Sequence, residues 1–97
     1  MAICNVIDDP DRSHEEWQLI SEHVRGSGPV PPAGCRIAVL GRERGITVWD
    51  AEEDRDRFLV ERLAPAYEAV GRSLDEVTHT QFEVEYVVAG DLAGVAP

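Results

Sequence analysis

The feature that most constrains this 97-residue chain is an alternation near its C-terminal end. In residues 78–88, THTQFEVEYVV, the apolar side chains Phe82, Val84, Tyr86 and Val88 are interleaved with Gln81, Glu83 and Glu85. A period of two marks a strand with one buried face. Such a strand needs neighbours for its backbone and a layer over its apolar side. Residues 2–7 (AICNVI) supply one neighbour, ending at Asp8-Asp9-Pro10, where proline removes a ladder donor and turns Asp9 away from helix. Residues 35–40 (CRIAVL) and 45–50 (GITVWD) supply two more, joined by Gly41-Arg42-Glu43-Arg44 as a hairpin loop.

Two segments carry helical spacing instead. Ser13 stands three residues before Glu16, the spacing of a capping box, and Trp17, Ile20 and Val24 follow on one helical face. The spacing predicts a helix over 13–25, stopped by the glycine- and proline-rich stretch 26–34 (GSGPVPPAG), which reads as a crossing loop. A second helix is expected from Ala51 or Glu52, with Asp50 as its N-cap. Its apolar face runs through Phe58, Leu59, Leu63, Ala66 or Tyr67, and Val70. Pro65 requires a kink or a restart, and Gly71 suits the C-cap.

The order β-α-β-β-α-β in one short chain is the split βαβ, or ferredoxin-like, arrangement. It predicts an α+β fold in which a four-stranded antiparallel sheet carries two helices on one face. Residues 1–90 are expected to form one such domain, with 91–97 a flexible tail. Nine Lys and Arg against 19 Asp and Glu leave a formal charge of −10, which argues against nucleic acid and against anionic membrane surfaces. No apolar run is long enough to span a membrane. Cys4 and Cys35 are too few for a disulfide framework, so free thiols and a cytoplasmic location are expected.

Placing the apolar strand residues under the helices puts Ala2, Cys4, Val6, Ile37, Val39, Ile46, Val48, Phe82, Val84 and Tyr86 there. In the first strand, Ile3 and Ile7 fit that face equally well. The opposite face then mixes Ile3, Ile7, Leu40 and Trp49 with Asn5, Arg36, Ala38, Thr47, Gln81 and Glu83. That face is too apolar to lie bare. A second copy of the sheet over it, in an isologous homodimer, leaves a cavity of the kind that holds small molecules.

The run Pro32-Ala33-Gly34, then Gly41, Gly45-Ile46-Thr47-Val48-Trp49-Asp50, and Phe58-Leu59 followed by Glu61-Arg62-Leu63-Ala64-Pro65-Ala66 resembles the small dimeric α/β-barrel proteins. That superfamily includes the antibiotic-biosynthesis monooxygenases. The resemblance implies a homodimer that binds a hydrophobic or aromatic, polyketide-like molecule. It also implies cofactor-independent oxygenation, cyclisation or isomerisation. Where similar proteins carry a histidine in the second strand, this chain has Ala38.

On this reading Trp49 walls the site, and Asn5, Ala38, Thr47 and Gln81 contact the ligand. Arg36 stabilises an enolate or phenolate, and Glu83 acts as the base, with Glu85 as its neighbour. The rival reading is a non-catalytic dimer whose sheet face is an assembly surface, with Arg36 paired to Glu83 or Glu85 of the mate. His14, His23 and His79 have no zinc-site spacing, and no cofactor motif is present, so neither a metal nor a cofactor is expected.

Overall fold

Ser13 caps the first helix as its spacing predicts. The Glu16 N–H donates to Ser13 Oγ at 3.1 Å, and the Ser13 N–H donates to Glu16 Oε1 at 2.9 Å. In the computed structural model, which describes residues 1–88 and 90, the elements run β1 (Ile3–Asp8), α1 (His14–Gly26), β2 (Cys35–Leu40) and β3 (Arg44–Trp49). Then follow α2 (Glu52–Phe58), a π-helical turn (Leu59–Leu63), α3 (Ala64–Glu68), a 3-10 turn (Leu74–Glu76) and β4 (Thr78–Glu83). The tail 91–97 lies outside the described residues. Among them no helix is long and apolar enough to cross a membrane.

The four strands form one antiparallel sheet in the order β2-β3-β1-β4. This α+β architecture is compatible with the expected ferredoxin-like arrangement. Pro65 takes the first turn of α3, where its missing N–H costs least, and the wide π-helical turn before it absorbs the change of ladder. The expected N-cap of α2 does not form. Ala51 holds that position without a side-chain bond, because the Asp50 carboxylate is taken by Arg36.

β4 is shorter than its alternation predicts. It pairs only with β1, Ile3 lies opposite Glu83, and the Val84 N–H donates to the Ala2 carbonyl at 2.9 Å. β4 ends at Glu83, and Tyr86 and Val88 stand exposed outside the ladder.

In β2, β3 and β4 the faces are the reverse of the expected ones, and in β1, where both parities fitted, Ile3 and Ile7 take the helix side. Ile7 packs on the core of Ile20, Ala66, Tyr67 and Val77, and the Trp49 ring meets Phe58 of α2 at 5.4 Å between centroids. Register places Asn5 beside Thr47, and Ile3 beside Trp49, so these residues lie under the helices. Cys4, Val6, Val39, Ile46, Val48 and Phe82 fall on the opposite face, where Val39 is 61% and Phe82 57% exposed. Both faces are apolar enough to be covered, and alternation alone does not choose between them. The choice is made by where α1 and α2 bring Ile20 and Phe58 down.

Candidate functional site

The helices close over only part of the sheet. Ile7, Ile20 and Tyr67 pack on one side against the buried Ala66 and Val77, supported by Val70 and Leu74, and on the other side they bound a cavity. Above Asn5, Thr47 and Trp49 a cavity of about 460 Å³ remains, within the range of small-molecule sites. Its floor includes Ala38, Gly45 and Thr47, and α1 contributes Ser21, so small side chains leave the volume unfilled. Trp17 of α1, Trp49 of β3 and Phe58 of α2 supply aromatic walls, and the π-helical turn adds Leu59 and Leu63. Ala38 and Leu40 both line the cavity and are exposed, so it opens along the edge strand β2.

The polar groups of the cavity differ in what they have left to give. The Trp49 Nε1–H donates to Thr47 Oγ1 at 2.8 Å, and the Thr47 hydroxyl lies 3.5 Å from the Asn5 carbonyl. Asn5 is only 2% exposed, yet no hydrogen bond among the described residues engages its carboxamide. No sealed side-chain polar atom lacks a partner there, so the amide of Asn5 reaches the open space of the cavity. A buried amide left unpaired costs about 1–3 kcal/mol, which a bound group with a donor or acceptor would recover.

At the cavity's other end Arg12 and Tyr67 are fully used. The Arg12 guanidinium donates to the Arg42 carbonyl (2.6 Å), the Gly41 carbonyl (3.1 Å) and Tyr67 Oη (2.9 Å), and lies 4.6 Å over the Trp17 ring. Tyr67 Oη donates to Asp9 Oδ2 at 2.9 Å, and Arg72 forks onto both Asp9 oxygens at 2.8 and 2.9 Å. Burial works against the Asp9 charge. The Arg72 and Tyr67 hydrogen bonds, with the charges of Arg72 and Arg12, outweigh it and hold the carboxyl below its usual range. Burial pushes the Tyr67 phenol up to about 12, so it stays protonated and serves as a strut rather than a base.

Asn5, Ala38, Thr47 and Trp49 thus line one cavity, together with Arg36 at its edge. Arg36 falls at the register irregularity between Cys35 and Ile37 and is paired within its own chain with Asp50. Gln81 and Glu83 lie on the exposed edge strand β4, away from the cavity lining. Sequence reasoning placed Trp17 and Phe58 only as core-facing helix residues and passed over Arg12. Local sequence gives no sign that Asp9 meets Arg72, 63 residues away. Cys35 also lines the cavity; burial pushes its thiol up, opposed in part by the Ile37 backbone. No protein family, curated protein or solved structure matches the chain.

Proposed function

We propose that this protein binds a hydrophobic, aromatic small molecule in the cavity between its helices and its sheet. The observation that carries the reading is a single one: a cavity of about 460 Å³, walled by Trp17, Trp49 and Phe58, into which the carboxamide of Asn5 projects without a partner among the described residues. The rings stack on the ligand, and Asn5 orients its hydroxyl or carbonyl group. The dimeric barrel belongs to the same reading. A second copy covers the face carrying Val39 and Phe82, in a ferredoxin-like homodimer. Ligand and partner then occupy opposite sides of the sheet, which separates binding from assembly.

Both tryptophans of the chain line the cavity, so their fluorescence reports its occupancy. Titration with 2-naphthol is expected to quench them saturably. Trp49→Phe weakens binding, and Asn5→Leu removes the preference for 2-naphthol over naphthalene. Absence of saturable quenching by either compound overturns the reading. The mass of the naphthol after incubation in air tests the oxygenation that the resemblance implies. Sedimentation tests the dimer: a mass near twice 10.7 kDa is expected, reduced to one copy by Phe82→Glu with naphthol binding retained.

A further inference from the structure

We propose that residues 27–34 form a strap that gates this cavity, with Arg62 as its latch; the proposal rests on the ligand-binding reading above. Val30, Pro31 and Pro32, at the middle of the strap, line the cavity, and Val30 is exposed on the outside. Val30, Pro31 and Ala33 make no backbone hydrogen bond among the described residues, so the middle is held through the ends of the strap.

The two ends are held differently. At the far end the anchor is backbone. Gly34 has φ +83°, and Asp54 sits so close that a Cβ there would come within 2.4 Å of its carboxylate. The Gly34 carbonyl accepts from the Asp50 N–H at 2.8 Å, and the Cys35 N–H donates to the Pro32 carbonyl at 3.0 Å. At the near end Ser27 stays tied to α1, its N–H and Oγ donating to the Val24 carbonyl at 3.2 and 2.9 Å, and beyond Ser27 the anchor is one side chain. Arg62 donates from Nε to Ser27 Oγ at 3.0 Å, from Nη1 to the Pro29 carbonyl at 2.7 Å, and from Nη2 to the Val24 carbonyl at 2.7 Å. A side-chain anchor is released by rotation about its own bonds, whereas the far end opens only with the sheet.

The latch is also wired to the cavity. Arg62 belongs to the π-helical turn whose Leu59 and Leu63 line it, and its guanidinium lies 5.5 Å from the Phe58 ring, which meets Trp49. A ligand that shifts Phe58 or Leu63 therefore moves the element holding the strap. Gly28 completes the fit: a Cβ there would stand 3.1 Å from Arg62 Cζ, so even alanine pushes on the guanidinium.

Cys35 lines the cavity beside the strap and gives a readout independent of any ligand. N-ethylmaleimide takes up the thiol across its double bond: sulfur bonds to one carbon, and the proton goes to the other. Alkylation at neutral pH, followed residue by residue by mass spectrometry, tests the gate. Arg62→Met, which keeps the apolar stem, is expected to label Cys35 about tenfold faster than wild type, and Gly28→Ala to fall between them. Cys4, buried on the opposite face, keeps its wild-type rate in both variants. Unchanged Cys35 rates in both variants overturn the gate, and so does parallel acceleration of Cys4, which signals general loosening. Saturating 2-naphthol is expected to slow Cys35 labelling in the wild type. If naphthol does not bind at all, the ligand reading fails, while the variant rates still decide the strap.

Discussion

The space between helices and sheet is packed at one end and hollow at the other, with Ile7, Ile20 and Tyr67 forming the wall between them and one helix covering both. On the packed side α1 brings Ile20 against Ala66, Tyr67 and Val77, with Ile7 beneath. The buried Asp9 there has a partner for each oxygen. On the hollow side the same helix presents Trp17 and Ser21 to a floor of Ala38, Gly45 and Thr47, and the Asn5 amide has no partner among the described residues. The contrast teaches that an apolar face does not fill space by itself. Closure depends on the summed volume of facing side chains and on whether each polar group beneath them is satisfied.

The largest effect should come from the polar network under the packed half. Arg72→Met removes the ion pair of the buried Asp9 carboxylate, leaving it only the Tyr67 hydroxyl, and is expected to cost about 3–5 kcal/mol in denaturant unfolding at neutral pH, with naphthol affinity unchanged in the folded fraction. Next, Ile20→Ala, at the fully buried wall between core and cavity, should cost about 2–5 kcal/mol, whereas Leu59→Ala, partly exposed beside the void, should cost less than about 1.5 kcal/mol. Equal costs at the two sites would abolish the distinction between the halves.

Added volume should separate them by sign. Ala66→Leu overpacks a fully buried site and is expected to lose about 1–3 kcal/mol, while Ser21→Leu fills the void, leaves stability within about 1 kcal/mol of wild type and excludes naphthol. The smallest effect is in pH. The native carboxyl of Asp9 is held below its usual range, so its contribution is present above about pH 4 and is lost as pH falls through the lowered native value. Asp9→Asn should flatten that acid limb. At the alkaline end the Tyr67 contribution is present below about pH 10 and fades as pH rises through its native value of about 12.

Much of the fold was legible because its signals are local. The Ser13–Glu16 capping box, the glycine-proline stretch 26–34 and the helix restart at Pro65 each involve a few neighbouring residues, and each stands where its chemistry requires. The set Asn5, Ala38, Thr47 and Trp49 was legible as one face because strand periodicity forces alternate residues together. Which side of the sheet that face takes was misread, because Cys4, Val6, Ile46 and Val48 make an equally apolar alternative. The end of β4 was misread for a similar reason: alternation continues to Val88, but the ladder with β1 stops at the Ile3–Glu83 pair, and alternation says nothing of how far a neighbouring strand extends.

The amino-acid sequence alone determined the element order, the cap of the first helix, the breaks and the grouping of side chains by face. These follow from backbone sterics and from hydrogen bonds between near neighbours. Tertiary structure alone decided the face toward the helices, the meeting of Asp9 with Arg72, and the hollow above Asn5. Each depends on volumes and charges from segments far apart in the chain, whose mutual distance no local rule fixes. A cavity is the sum of what several distant side chains fail to fill, and that sum exists only once the layers have closed.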